Sequence, residues 1–325
     1  MNQSLLFYDN WRRVDHEDMV SLYVYFAICV IIICLFLLYV ICIVIILLSY
    51  PSTMTQTYQE YKMTDVRKVQ QHSLQQQSNN YLHNAQSRTS INIMLITCST
   101  VNKDDEPTRV PSSEQIGLDV MELAHKLYPD HEIQTKVFKL REIDFAHCEA
   151  NYSISGHYCT WPCWISQRMA QLGKADPLTE LYYSLVDWCD GVLIATPIRW
   201  WNPSSLHQKL IERLNCIQTQ HEMYDVELIH NQLAGFIVIG GQDGVQAVIG
   251  NMFSFWSQTG FTFAKNPFVW YTAGSYTNVD LDEVKNHIAR DQWLIDSMSQ
   301  EMISNQIETV LMRRAYQKSL DAVVL

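Results

Sequence analysis

Positive charge is what this sequence has least of, and the shortage is local. Lys and Arg number 23 against 34 Asp and Glu, a formal net charge of -11. Up to Ser90 the two signs balance at six each, whereas from Ile91 onward they stand at 17 against 28. A nucleic-acid footprint needs a clustered basic face, so no nucleic-acid partner is expected and a polyanionic partner is disfavoured.

Ordered cysteine spacing is missing too. Three of the nine cysteines, Cys29, Cys34 and Cys42, sit inside an apolar run; the rest are Cys98, Cys148, Cys159, Cys163, Cys189 and Cys216. They form no evenly spaced framework, and a domain of this size folds without staples, so they read as reduced thiols. An acid–base constellation is also absent. His207 and His221 have no visible carboxylate or serine partner, which argues against a catalytic triad.

The longest absence is of charge of either sign, between Asp18 and Glu60, and within it Leu22 to Leu48 is almost wholly apolar. As helix, such a run reaches ~40 Å, enough for a hydrocarbon core of about 30 Å. It is too long for the core of a secretory signal and lacks a small-residue cleavage site. The expectation is an uncleaved transmembrane helix in contact with the lipid bilayer. Arg12 and Arg13 precede it while Lys62, Arg67 and Lys68 follow it, a slight basic excess that agrees with a cytoplasmic later domain but does not fix it. The next stretch, Pro51 to Ser90, is rich in Gln, Ser, Thr and Asn and buries little apolar surface, so it reads as a flexible or partly helical tether.

From Ile91 onward, strands and helices alternate. Ile91 to Thr97 is a first strand; after the polar loop Cys98 to Pro111, Ser112-Ser113-Glu114 opens a helix carrying Ile116, Val120, Leu123 and Leu127 on one side. Glu132 to Leu140 is a second strand, and Ile143 to Lys174 is irregular. Leu178, Leu181, Leu185 and Trp188 mark a helix before the third strand, Val192 to Thr196. A helix from about Ser204 to Asn215, a strand Leu233 to Ile239, the turn Gly240-Gly241-Gln242-Asp243-Gly244, a helix to about Gln258 and a strand near Phe268 to Thr272 follow. Leu281, Val284, Ile288, Ile295, Met298, Met302, Ile307, Val310 and Leu311 keep helical spacing to the end. The segments expected are 1–21, a transmembrane helix 22–48, a polar linker 49–90, an α/β domain 91–278 and a helical extension 279–325, the last able to cover the sheet or make a homo-oligomer face.

Five strands alternating with helices predict a parallel sheet covered on both faces. With strand order 2-1-3-4-5, ligands bind beyond the carboxyl ends of the first and third strands, where the order reverses. Those strands end in Cys98-Ser99-Thr100 and in Thr196-Pro197-Ile198-Arg199-Trp200-Trp201-Asn202.

The segment Thr196 to Leu206, with Lys209 and Arg213 on the helix after it, resembles the Thr-Pro-aromatic-Asn/Ser loop of NAD(P)H-dependent FMN reductases and iron-sulfur flavoproteins, and the Gly240 to Gly244 turn is similar to theirs. The resemblance covers roughly Ile91 to Gly274 and implies a flavodoxin-like three-layer sandwich. It implies that Thr196, Pro197, Ile198, Arg199, Trp200, Trp201 and Asn202 border the flavin, with Gly240, Gly241 and Gln242 on its other side. Ser99 and Thr100, with Ser112 or Ser113, would take the phosphate; hydroxyls and amides at a helix N-terminus suit an anion, and Arg109 would add charge.

Two features depart from the family. Lys103-Asp104-Asp105-Glu106-Pro107 is an acidic insertion in the first loop, and Trp201 stands where relatives often have glycine. The iron-sulfur members carry a four-cysteine run after the second strand, where this chain has only Cys148, Cys159 and Cys163. Metal binding there would need a fourth ligand, His147 or His157, and structural or redox thiols are the preferred reading. Lys209 and Arg213 read as a solvated face rather than a nicotinamide phosphate clamp.

The function expected is a membrane-anchored FMN oxidoreductase that takes hydride from NAD(P)H and passes electrons to a quinone, flavin or protein acceptor. The alternatives are a membrane-tethered electron carrier or flavin sensor without nicotinamide turnover, and a flavin-free interaction module.

Overall fold

The computed structural model describes residues 27–28, 30–32, 34–35, 37–41, 60–101, 110–241, 243–273 and 281–324, the side chains of 60–66, 281–285 and 322–324 excepted. The chain divides into two units, Met1–Val66 and Arg67–Leu325. The site lies in the second.

The anchor expected at Leu22 to Leu48 is corrected. Among the described residues no helix is long and apolar enough to cross a membrane. The described part of that run is helical between 27 and 41. The remainder of the run lies outside the described residues, and with the span goes the cytoplasmic single-pass assignment built on it.

The polar segment after it takes the helical form. Helix α1 (Glu60–Ser87) is held from Gln70 onward: Leu74 and Ser78 are buried, Tyr224 Oη donates to Gln70 Oε1 at 3.1 Å, Gln71 Nε2 donates to Tyr224 O at 2.8 Å, Ser78 Oγ bonds Glu227 O and His230 Nε2, and Asn84 Nδ2 donates to Asp187 Oδ1 at 2.8 Å. The polar pattern allows a partly helical segment but does not reveal these contacts, because their partners lie far away in the sequence.

Strands β1 (Ile91–Thr97), β2 (Ile133–Lys139), β3 (Gly191–Pro197), β4 (Leu233–Gly240) and β5 (Phe268–Thr272) make one parallel sheet ordered β2-β1-β3-β4-β5. All seven residues of β1 are buried, whereas edge strand β2 is buried only at Ile133 and Phe138. A strand covered on both faces needs apolar side chains pointing both ways, which is why β1, β3 and β4 read as continuous apolar runs.

Helices α2 (Ser112–Leu127), α3 (Trp164–Gln171), α4 (Thr179–Tyr183), α5 (Ser205–Tyr224), α6 (Val245–Gln258), α7 (Leu281–Arg290) and α8 (Gln292–Val324) complete the described fold. Alternate strand residues serve opposite layers. Met94, Ile96, Val192, Ile194 and Phe236 pack with Leu210, Leu214 and Ile217 of α5 and Val248, Met252 and Trp256 of α6. Ile93, Leu95, Leu193, Ala195 and Ile237 pack with Ile116, Val120 and Ala124 of α2 and Ile295, Met302, Ile303 and Ile307 of α8. The final helix therefore covers the sheet. Arg314 pins it there, its Nη2 reaching both Asp190 oxygens at 2.8 Å. Leu281 and Val284 lie outside the described side chains.

Two segments differ in detail from their sequence patterns. The irregular stretch after β2 contains α3, with Cys163 as its N-cap residue. Helix α5 runs on to Tyr224 because Cys216, Ile217 and Gln220 continue its buried face.

Candidate functional site

The strand-order reversal falls between β1 and β3, as expected, and the two exits are tied together. Cys98 N donates to Ala195 O at 2.8 Å. Ser204, the N-cap of α5, donates from Oγ to Cys98 O and from its backbone N to Thr196 Oγ1 at 3.0 Å, while its Oγ accepts from His207 N. One serine thus caps a helix and joins both strand ends. The Asn-Pro-Ser-Ser run signals the cap, but nothing local reveals its partner in the β1 loop.

On the β1 side, Ser99 is buried and its Oγ accepts from Val101 N at 3.3 Å, whereas Thr100 is exposed. Ser112 is half-buried. Ser113 is 2% exposed, and its Oγ has no hydrogen-bond partner. Pro111 precedes α2 and supplies no side-chain cap. Lys103 to Pro107, and Arg109, lie outside the described residues.

The charges beside this helix start come from residues the sequence reading missed. Glu114, in the first turn of α2, has a fully buried side chain, with Lys139 Nζ at 2.8 Å and Arg141 Nε at 3.2 Å; Thr97 Oγ1 donates to it at 3.4 Å. Burial alone would raise the Glu114 carboxyl, but hydrogen bonds and charge from Arg141 and Lys139 outweigh it and hold it below its ordinary value. Arg141 Nη2 also lies 3.4 Å from Glu142 Oε1, so two carboxylates balance the two cations.

On the β3 side the chain makes a two-residue reverse turn. Arg199 N donates to Asn202 O at 2.8 Å and Asn202 N to Arg199 O at 3.0 Å. Between them Trp200 and Trp201 both take left-handed backbone, φ 50° and 58°. This is the I′ geometry that favours Asn-Gly, and for a bulky L-residue each such φ costs roughly 1–2 kcal/mol. Glycine would be the unstrained choice at position 201. Trp200 is 86% exposed and Trp201 51%.

Trp201 clasps the loop after β4. Its Nε1 donates to Asp243 Oδ1 at 3.1 Å, and a Cβ on Gly244, whose φ is 104°, would lie 2.6 Å from its ring. Closer to the strand ends, a Cβ on Gly240 would come within 2.8 Å of Ile198. Gly241 differs: a Cβ there would meet nothing within 4 Å. Gln242 lies outside the described residues. An apolar groove of about 680 Å³ starts at Asp243 and Gly244 and runs between α6 and β5, past Ile249, Phe253, Phe268 and Trp270. It adjoins the β4 loop on the edge-strand side rather than opening at the reversal.

The helix after the turn corrects one assignment. Arg213 is not on a solvated face: it is buried, its Nη2 pairs with the fully buried Asp176, and its Nη1 donates to Ala146 O at 3.0 Å. Lys209 Nζ lies over the Phe145 ring at 4.4 Å. His207 is buried and accepts from Trp256 Nε1 at 3.2 Å, with its pKa lowered to about 3 by burial. Among the described residues no three His, Cys, Asp or Glu are placed to hold a metal ion. The fourth group near Cys148, Cys159 and Cys163 is Cys216 of α5.

A parallel sheet in this order, with polar loops meeting at its reversal, defines an α/β protein of the flavodoxin-like class. The sequence profile of the NADPH-dependent FMN reductase family matches residues 110–274. The chain belongs to that family, and is an FMN-using oxidoreductase of the NAD(P)H-dependent FMN reductase type. No curated protein matches. Among solved structures it is similar to RosB with a bound 8-demethyl-8-formylriboflavin-5'-phosphate intermediate, at 17% identity and a TM-score of 0.51 over 72% of this chain and 86% of that one. An NAD(P)H:quinone oxidoreductase from Methanothermobacter marburgensis aligns at 9% identity and a TM-score of 0.39, over 66% of this chain and 96% of that one. An azoreductase from Bacillus anthracis aligns at 9% and 0.39, over 66% and 98%.

Proposed function

We propose that this chain holds FMN in the crevice between the β1 and β3 exits and passes electrons from NAD(P)H to a small planar acceptor such as a quinone or flavin, or to a redox protein. The observation that carries the reading is the clasp of the β3 and β4 loops around Gly241, where the main chain borders open space.

At the phosphate end, Ser113 offers a buried hydroxyl without a partner, beside a helix start free of a side-chain cap. With Ser112 beside it on α2 and Ser99 and Thr100 at the β1 exit, this helix start favours an anion. Lys139 and Arg141 meet this helix start through Glu114, and Arg141 also pairs with Glu142. At the ring end, Thr196, Pro197, Ile198, Arg199, Trp200, Trp201 and Asn202 form one wall and Gly240 and Gly241 the other. When bound, FMN supplies the hydride and electron chemistry itself. The protein's part is to bind, orient and exclude water, which agrees with the lack of an acid–base pair in the sequence. The groove lined by Phe253, Phe268 and Trp270 gives a flat apolar acceptor a surface beside the β4 loop.

The Trp201–Asp243 hydrogen bond narrows this slot and so favours one rival, a carrier that keeps FMN without nicotinamide turnover. Purified protein loaded with FMN is expected to bleach under anaerobic NADPH or NADH and to recover its colour on adding a quinone. Bound flavin that neither nucleotide bleaches selects the carrier; protein that takes up no FMN refutes both.

A further inference from the structure

Two rows of side chains face each other across the groove beside β5. Phe268, Trp270 and Thr272 are alternate residues of that edge strand, so they share one face of the sheet. Val245, Ile249 and Phe253 stand four apart on α6 and form one stripe opposite them. Phe268 to Thr272 spans about 13 Å and Val245 to Phe253 about 12 Å, the reach of an extended chain of about ten carbons.

The walls are set in place from behind. Phe253 stacks on Phe263 with ring centroids 4.3 Å apart, and Phe268 stacks on Phe236 at 5.9 Å. Yet Phe253 and Trp270 stay 42% and 45% exposed, an apolar surface of the kind that marks a binding site. Gly250 points the same way. It lies inside α6, where glycine is a poor helix former. Its backbone is not left-handed, and a Cβ on it would meet nothing within 4 Å, so neither geometry nor close packing calls for glycine there. What the missing side chain leaves is room in the groove wall.

The two ends differ. Asp243, Gln246 and Thr272 make one end polar. Thr272 pairs with Gly240 in the sheet and Asp243 accepts from Trp201 Nε1, so this end meets the loops assigned to the flavin ring. The far end, at Phe253 and Phe268, is apolar. Among the described residues no Lys, Arg or His lines the groove, and Asp243 would repel a carboxylate or phosphate head.

We propose that the groove binds the hydrocarbon tail of a neutral acceptor, a quinone carrying an alkyl or isoprenoid chain of about ten carbons, with its head directed toward the β3 and β4 loops. The head's place rests on the oxidoreductase reading; the tail is the new element. Each fully buried methylene multiplies affinity about fourfold, so two or three of them in a groove open along one side raise it roughly 15- to 60-fold.

The experiment uses the FMN-loaded full-length chain and two benzoquinones alike in the ring, one bearing a decyl chain and the other a methyl group. With NADPH or NADH as donor, KM for the decyl quinone should be the lower by that factor. Gly250→Leu fills the wall where there is space for it, in a helix that leucine suits better than glycine, and should bring the two KM values together, with Gly250→Ala between. Isothermal titration without nucleotide should rank the dissociation constants in the same order, and decanoate should compete poorly with the decyl quinone. Reduction of neither quinone overturns the oxidoreductase reading, and the titration then decides the tail alone. Equal affinity for the two quinones, a preference that Gly250→Leu leaves intact, or decanoate binding as tightly as the decyl quinone overturns the proposal. A dimer that Gly250→Leu dissociates gives the groove to a second copy of the chain and overturns it too.

Discussion

Replacing Trp200 by Asn should make the protein more stable and a poorer catalyst. Trp200 holds φ 50° at the first central position of its turn, and an L-residue there pays roughly 1–2 kcal/mol that Asn largely avoids. Its ring is 86% exposed. Full burial of an indole removes about 200 Å² from water, so a seventh of that, at about 25 cal/mol per Å², forfeits only ~0.7 kcal/mol. The balance is a gain of about 0.3–1.3 kcal/mol, or roughly 1–5 °C in the melting temperature of a domain this large. Thermal unfolding of the flavin-free protein, followed by circular dichroism, measures it. A melting temperature that stays put or falls refutes the strain argument. Strain of this kind persists where function retains it. If the exposed indole stacks on a planar acceptor, kcat/KM for quinone should fall by about 2- to 12-fold, from an aromatic contact of ~0.5–1.5 kcal/mol. A more stable variant with unchanged kcat/KM would keep the strain and remove the stacking role.

Glu114→Gln leaves Lys139 and Arg141 beside a neutral amide and should cost about 3–5 kcal/mol at neutral pH, read by urea unfolding. Because the folded-state Glu114 pKa is lowered, its stabilisation is fully present above the ordinary value of 4.5 and is lost as pH falls through the lower folded value. The gap between wild type and variant should therefore close in acid; a gap that persists there contradicts the ion-pair account. Gln306→Met should stabilise by about 1–2 kcal/mol, because the Gln306 amide is buried against Gly191 and Gly235 with neither its oxygen nor its nitrogen hydrogen-bonded. A loss of stability would place an ordered water there.

The sheet was legible because burial on both faces forces continuous apolar strands, and β1 and β3 have few other readings. The reversal point followed from strand order alone. Residues whose meaning depends on distant partners were not legible. Arg213 lies four positions from Lys209 and suggests an outward face, yet Asp176 draws it inside. Glu114 read as part of a helix start, but Lys139 and Arg141 at the end of β2 make it a buried ionic centre. The anchor is a different kind of difference: apolar composition over 22–48 suggests a span, and among the described residues no helix is long and apolar enough to cross a membrane.

Helix α5 also sets a spacing. Ser204 fastens its first turn to the crevice, and Cys216 sits twelve residues further along the same unbroken helix, about 18 Å at 1.5 Å per residue. Hydride transfer needs reacting atoms near contact distance, about 3–3.5 Å. Cys216 therefore lies several helical turns beyond contact range of the end of α5 that Ser204 fastens to the crevice.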